Sequence, residues 1–132
     1  MAAFSNAAAV RAYAEVGLRS GVASAHPHRL IAMLFDGALL ALARARQALL
    51  VKDIAARGAA VSKAIQIIDE GLRASLVDTG SELANNLRAL YDYMAGRLLV
   101  ASLKNDVGAI DEVTRLLNEL KDAWNAIAPN PA

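Results

Sequence analysis

The sequence predicts an all-α protein, an antiparallel up-down-up-down four-helix bundle with a short mobile N-terminal helical segment. Three observations point to it. Hydrophobic residues make up 56% of the 132 positions, and only three prolines and eight glycines interrupt them. Alanine supplies much of that apolar content, and Ala, Leu, Arg, Glu and Gln lose little on entering a helix. Apolar residues then recur in alternating steps of three and four along the chain, the seam of a bundle helix. The stretches that carry them are separated by a few residues each, which forces neighbours antiparallel. No run of alternating β-branched residues competes with this pattern. A chain of this length makes one domain. We expect residues 1–132 to form it, with residues 1–20 as an N-terminal cap segment and residues 27–127 as the bundle.

The N-terminal segment is short, about residues 6–18, with Val10, Tyr13, Ala14 and Gly17 on one side. Ser20, Gly21, Ser24 and Pro27 mark a connector, and Pro27 suits the first turn of a helix because its missing N–H is not needed there. The first long helix runs from about 27 to 50. Its core, LIAMLFDGALLALA at residues 30–43, carries Asp36 as its one charge. At helical pitch those apolar side chains point in every direction, whereas a helix on the rim of a bundle normally shows water a polar face. The run is too short for the ~20 residues of a membrane span. Its excess apolar surface therefore belongs to a core, to a partner, or to both.

Asp53 is placed to cap the second helix, whose seam is Ile54, Gly58, Val61, Ile65, Ile68 and Leu72. Residues 77–82 make the next break. Thr79 and Glu82 have capping-box spacing, and Ser81 is a competing cap. The third helix carries Leu83, Leu87, Leu90, Met94, Leu98 and Ala101 on its seam. Asn105 and Asp106 break the chain again. The fourth helix has the cleanest seam, Ile110, Val113, Leu117, Leu120, Trp124 and Ile127, and Pro129 and Pro131 end it. Each long helix has ~20–24 residues, or ~30–36 Å.

A bundle helix needs one apolar stripe, and the third helix has two. Away from its seam lie Asn86, Ala89, Tyr93, Gly96, Val100 and Leu103. Small residues there leave a shallow groove in which Tyr93 stands. The second helix has a weaker counterpart in Ala60, Ala64, Ile67, Gly71 and Ala74. Exposed alanine by itself needs no explanation, so the discriminating observation is a contiguous exposed patch.

Composition removes several functions. Lys plus Arg is 14 and Asp plus Glu is 13, a formal net charge of +1. That balance gives no electrostatic footprint for nucleic acid or an anionic membrane. There is no cysteine, hence no disulfide frame. The N-terminal residues lack a basic segment followed by an apolar core, so no secretory signal is seen and a cytoplasmic location is the default. A di-iron bundle wants Glu-x-x-His motifs from two helices, yet the only histidines are His26 and His28, beside Pro27. Their expected role is capping and solvation. No phosphate loop, nucleophile elbow or clustered acid pair appears. Asp36 is expected to pair with an Arg or to cap a polar seam. We expect no catalytic residues, no metal and no cofactor.

Two segments carry a family resemblance. HPHRLIAMLFDGALLALARA, residues 26–45, resembles the first-helix signature of the flagellar protein S family, cytoplasmic export chaperones for flagellin. LANNLRALYDYMAGRLLVAS, residues 83–102, resembles the third-helix signature, with Asn86, Leu87, Leu90, Tyr91, Asp92, Tyr93 and Met94 intact. Tyr13 is similar to the family's N-terminal tyrosine and Trp124 to its late tryptophan. His26 departs from the family's Ser before the proline, and the lost cap oxygen is worth ~1 kcal/mol to the helix. Phe35 stands where the family often has Tyr.

The resemblance implies an antiparallel four-helix bundle that binds the disordered C-terminal segment of flagellin, partly extended and partly helical, and works with the flagellar export apparatus. Such a client needs long apolar grooves. The residues expected to contact it are Ile31, Leu34 and Phe35 on the first helix and Ile67 on the second. Asn86, Tyr93, Val100 and Leu103 follow on the third, with Tyr13 in a segment resembling the family's movable cap. The competing use of the same stripes is self-association, as a homodimer or a structural oligomer with no client.

Overall fold

The computed structural model describes residues 27–76 and 80–128. The N-terminal segment with Tyr13, His26, Thr79 and the two C-terminal prolines lie outside the described residues. Within them the chain forms four helices: α1, Pro27–Leu50; α2, Ile54–Gln66, continued by a π-helical stretch, Ile67–Arg73; α3, Glu82–Lys104; and α4, Val107–Ala126. No strand occurs among the described residues.

Local chemistry sets the boundaries. Pro27 opens α1. The Asp53 carboxylate accepts from the Ala56 N–H at 3.1 Å and caps α2. Ser81 caps α3 through the Ala84 N–H at 3.0 Å. Asp106 caps α4 through the Ala109 N–H at 3.3 Å. Each side-chain oxygen satisfies a donor that the first helical turn leaves orphaned. Lys52 and Asn105, at φ 61° and 53°, reverse the chain after α1 and α3.

The helices run up-down-up-down, each packed on the next and α4 returning to α1. Bridges between them mark the antiparallel register. Arg46 meets Asp111 at 2.9 Å and Asp36 meets Lys121 at 2.7 Å between α1 and α4. Arg73 meets Asp92 at 2.7 Å between α2 and α3. Asp36 thus pairs with a lysine across the bundle, not with an arginine.

The core is closed and apolar. Phe35, Leu42, Ile68, Leu72, Leu87, Tyr91, Met94, Leu98, Ile110 and Leu117 have no exposed surface. The expected seams of α3 and α4 fill it almost unchanged, and Trp124 is buried among them. The seam of α2 holds at Val61, Ile68 and Leu72 and departs from expectation at Ile54 and Ile65. Ile54, expected at its start, is 70% exposed. The first turn of α2 overhangs the end of α1, and the helix reaches the core only at Val61, with Ala64 in the place expected of Ile65. From Ile67 the wider π turn carries Ile68 and Leu72 into the core. Both residues lie on the expected seam, although three-four spacing gives no sign that the turn there is π-helical.

His28 differs from the expected solvated cap. Its ring stacks on Trp124 with centroids 4.5 Å apart and planes 8° from parallel. The Trp124 indole N–H donates to the His28 carbonyl at 2.8 Å, and His28 Nε2 lies 2.7 Å from the Trp124 carbonyl. The first turn of α1 and the last of α4 are therefore tied by two hydrogen bonds and a stacked pair.

Candidate functional site

With the core complete, the surface still carries two apolar features. The first lies between α1 and α2. A Cβ added to Gly71 would come within 2.9 Å of Leu34 Cδ2, and one added to Gly37 within 3.4 Å of Ile67 Cδ1. Leu34 and Ile67, both half-buried, therefore form the floor of a close helix contact that glycine makes room for. The π-helical stretch includes both Ile67 and Gly71. On α1, Leu30, Met33 and Leu40 are each more than half exposed. At 100° per residue Met33 and Leu40 extend the apolar surface onto the outer side of α1. The excess of the first helix is thus split: Phe35, Ala38, Leu42 and Ala45 enter the core, and Leu30, Met33 and Leu40 face water.

The second feature runs along α3 beside α4. Asn86, Tyr93 and Val100 fall seven residues apart on the α4 side, and Ala89, Gly96 and Leu103 point outward. Tyr93 and Val100 are half-buried, Asn86 is exposed, and Leu103 is 84% exposed. A Cβ on Gly96 would meet nothing within 4 Å, so the packing of this chain alone does not require a glycine there. In the ring of helices the α1–α2 and α3–α4 surfaces lie on opposite sides of the bundle.

Polar groups fix the tyrosine in the second surface. Its hydroxyl donates to Glu112 Oε2 at 2.6 Å, and Arg97 Nε donates to Glu112 Oε1 at 2.7 Å. Glu112 is held below the usual glutamate range by the Tyr93 hydroxyl first and the Arg97 guanidinium second. The same hydrogen bond to Glu112 raises the Tyr93 phenol above its ordinary value. A free, wetted hydroxyl is the natural expectation for Tyr93 on sequence grounds, and α4 supplies a carboxylate instead. Arg97 stands one turn from Tyr93 and was visible as a helical neighbour, but Glu112 comes from another helix and left no signal in the spacing.

The other expected contacts divide clearly. Leu34 and Ile67 both lie in the α1–α2 contact, whereas Asn86, Tyr93 and Val100 lie on the α4 side of α3 and Leu103 on its outer side. Ile31 is half-buried and packs against the core. Phe35 lies wholly inside the core, one helical step beyond Leu34, and has no surface to offer a partner. Tyr13 lies outside the described residues. Among the described residues, no group of three metal-ligating side chains stands together, and no helix is long and apolar enough to cross a membrane.

Residues 9–131 match the family described as flagellar protein FliS. The chain is similar to the flagellar secretion chaperone FliS of Salmonella typhimurium, 54% identical over 124 residues covering 93% of this chain and 92% of that one. It is also similar to the flagellar secretion chaperone FliS of Escherichia coli, 46% identical over 92% of this chain and 90% of that one. The flagellar secretion chaperone FliS of Bacillus subtilis is 36% identical over 80% of this chain and 78% of its own.

Proposed function

The chain belongs to the flagellar protein FliS family, and from that premise we propose that its client is the disordered C-terminal region of flagellin, kept from polymerising before export. Membership makes it an export chaperone in flagellum assembly, a non-enzymatic role exercised with the flagellar export machinery. One observation carries the client reading: apolar surface on two opposite sides of a bundle whose core is already closed. A disordered segment that orders on binding loses conformational entropy and needs extensive burial to offset it. Two grooves on opposite sides suit a client that wraps round the bundle better than one that docks at a point.

In this reading residues 1–132 act as one domain in the cytosol, where flagellin is made. Ile31, Leu34 and Ile67 serve the α1–α2 side, and Asn86, Tyr93, Val100 and Leu103 the α3–α4 side. Tyr13 belongs to a cap that gives way to the client. Calorimetric titration with a synthetic flagellin C-terminal segment tests this. We expect saturable one-to-one binding with a negative heat-capacity change, the mark of apolar burial. No binding by the folded chaperone would overturn it. A homodimer using the same surfaces would instead show a mass independent of peptide and no affinity for the segment.

A further inference from the structure

The end of the bundle where the α1–α2 and α3–α4 turns meet holds a third feature, apart from both grooves. Leu49, Leu50, Lys52, Ile54, Arg57 and Asn105 line a pocket of about 440 Å³. That size suits a small ligand or the end of a peptide. Leu49, Leu50 and Ile54 give it apolar walls, and Lys52 and Arg57 give it two cations with no carboxylate among the lining residues. The nearby acids are occupied, because Asp53 caps α2 and Asp106 caps α4. Neither cation forms an ion pair among the described residues. Arg57 donates Nη1 to Asn105 Oδ1, and its Nε has no acceptor among the described residues.

Lys52 adds a second, backbone observation. It sits at φ 61°, in the left-handed position after a helix where glycine is the unstrained choice. The chain holds a long cation in strained backbone at the mouth of an apolar pocket.

We infer that this pocket holds the free C-terminal carboxylate of the peptide client, with the adjoining apolar side chain against Leu49, Leu50 and Ile54. The inference rests on the reading that the client is a C-terminal segment. Charge complementarity selects an anion, and the apolar walls select one joined to an apolar group. A guanidinium and an ammonium together fix a carboxylate by charge-assisted hydrogen bonds. An internal Asp or Glu would need the client chain to enter and leave the pocket, whereas a terminus needs one path.

The test compares three peptides of one flagellin C-terminal segment: the free acid, its C-terminal amide, and the acid extended by one glycine. Each is titrated calorimetrically into the full chain. The amide and the extended peptide are expected to bind about ten-fold more weakly than the free acid. Lys52→Gly and Arg57→Gln should bind acid and amide alike. Lys52→Gly suits the backbone at that position, so its melting temperature should stay level or rise, which separates lost recognition from lost fold. Equal binding of acid and amide by the unaltered chain overturns the pocket and leaves the client reading standing. Binding of none of the three overturns the client reading and the pocket with it.

Discussion

Tyr91 and Tyr93 stand two positions apart on α3 and divide it into two regions. Tyr91 is fully buried on the seam, and its hydroxyl has no hydrogen-bond partner among the described residues. Tyr93 is half-buried on the outer stripe, and its hydroxyl is held by Glu112 at 2.6 Å. For Tyr91 the ring dominates: burying a large aromatic area outweighs an orphaned phenol. For Tyr93 the hydroxyl fixes the ring in place while part of its apolar area stays open. One residue type thus serves packing on one face and presentation on the other.

The largest expected effect tests the first half of that contrast. Tyr91→Ala should destabilise the bundle by ~3–5 kcal/mol, the range for removing a buried aromatic side chain. Urea unfolding followed by circular dichroism checks it, and a change no larger than that of Tyr93→Ala would erase the distinction between the two faces. Tyr93→Ala should do the opposite. We expect roughly ten-fold weaker binding of the flagellin segment and little movement of the unfolding midpoint. Full affinity with a large loss of stability would assign the outer stripe to the core.

A smaller effect follows from the carboxylate that holds Tyr93. Glu112 is depressed in the folded state, so its contribution to stability is present above the ordinary glutamate pKa and lost as pH falls through the depressed value. Tyr93 is raised, so its contribution is present below the ordinary tyrosine pKa and lost as pH rises through the raised value. The difference in urea midpoint between the native chain and Glu112→Gln should therefore be level near neutral pH and close in acid. A gap that persists below the depressed pKa would show that Glu112 acts other than through its charge. The smallest effect is expected of Tyr91→Phe, which removes only the orphaned hydroxyl. It should leave stability unchanged or slightly raised, and a loss of more than ~1 kcal/mol would reveal a partner for that group.

Much of this contrast was legible in the sequence. The seam from Leu87 to Leu98 places Tyr91 beside the core and Tyr93 away from it, because three-four spacing assigns residues to faces of one helix. The same spacing carries no information on what another helix brings to that face, so Glu112 was hidden. Nor does it show where a helix enters the bundle, which is why Ile54 sits on the ideal seam of α2 and yet in water. Phe35 misled for the opposite reason. A helix that is apolar all round offers no polar face to orient it, and the structure alone separates Phe35 in the core from Met33 and Leu40 outside it. The π-helical stretch and the pairing of His28 with Trp124 depend on tertiary packing and have no local signature.

That last pairing has a consequence for how the protein is made. His28 and Trp124 are separated by 96 residues. At a synthesis rate of about 5–20 residues per second, His28 leaves the ribosome about 5–20 s before Trp124 does. Through that interval α1 and α2 can pack as a hairpin, but the opening turn of α1 lacks the ring and the hydrogen bonds that fasten it. That turn is fastened only once Trp124 has followed, 96 residues later, so a chain broken off before it keeps a first long helix that is unfastened where it begins.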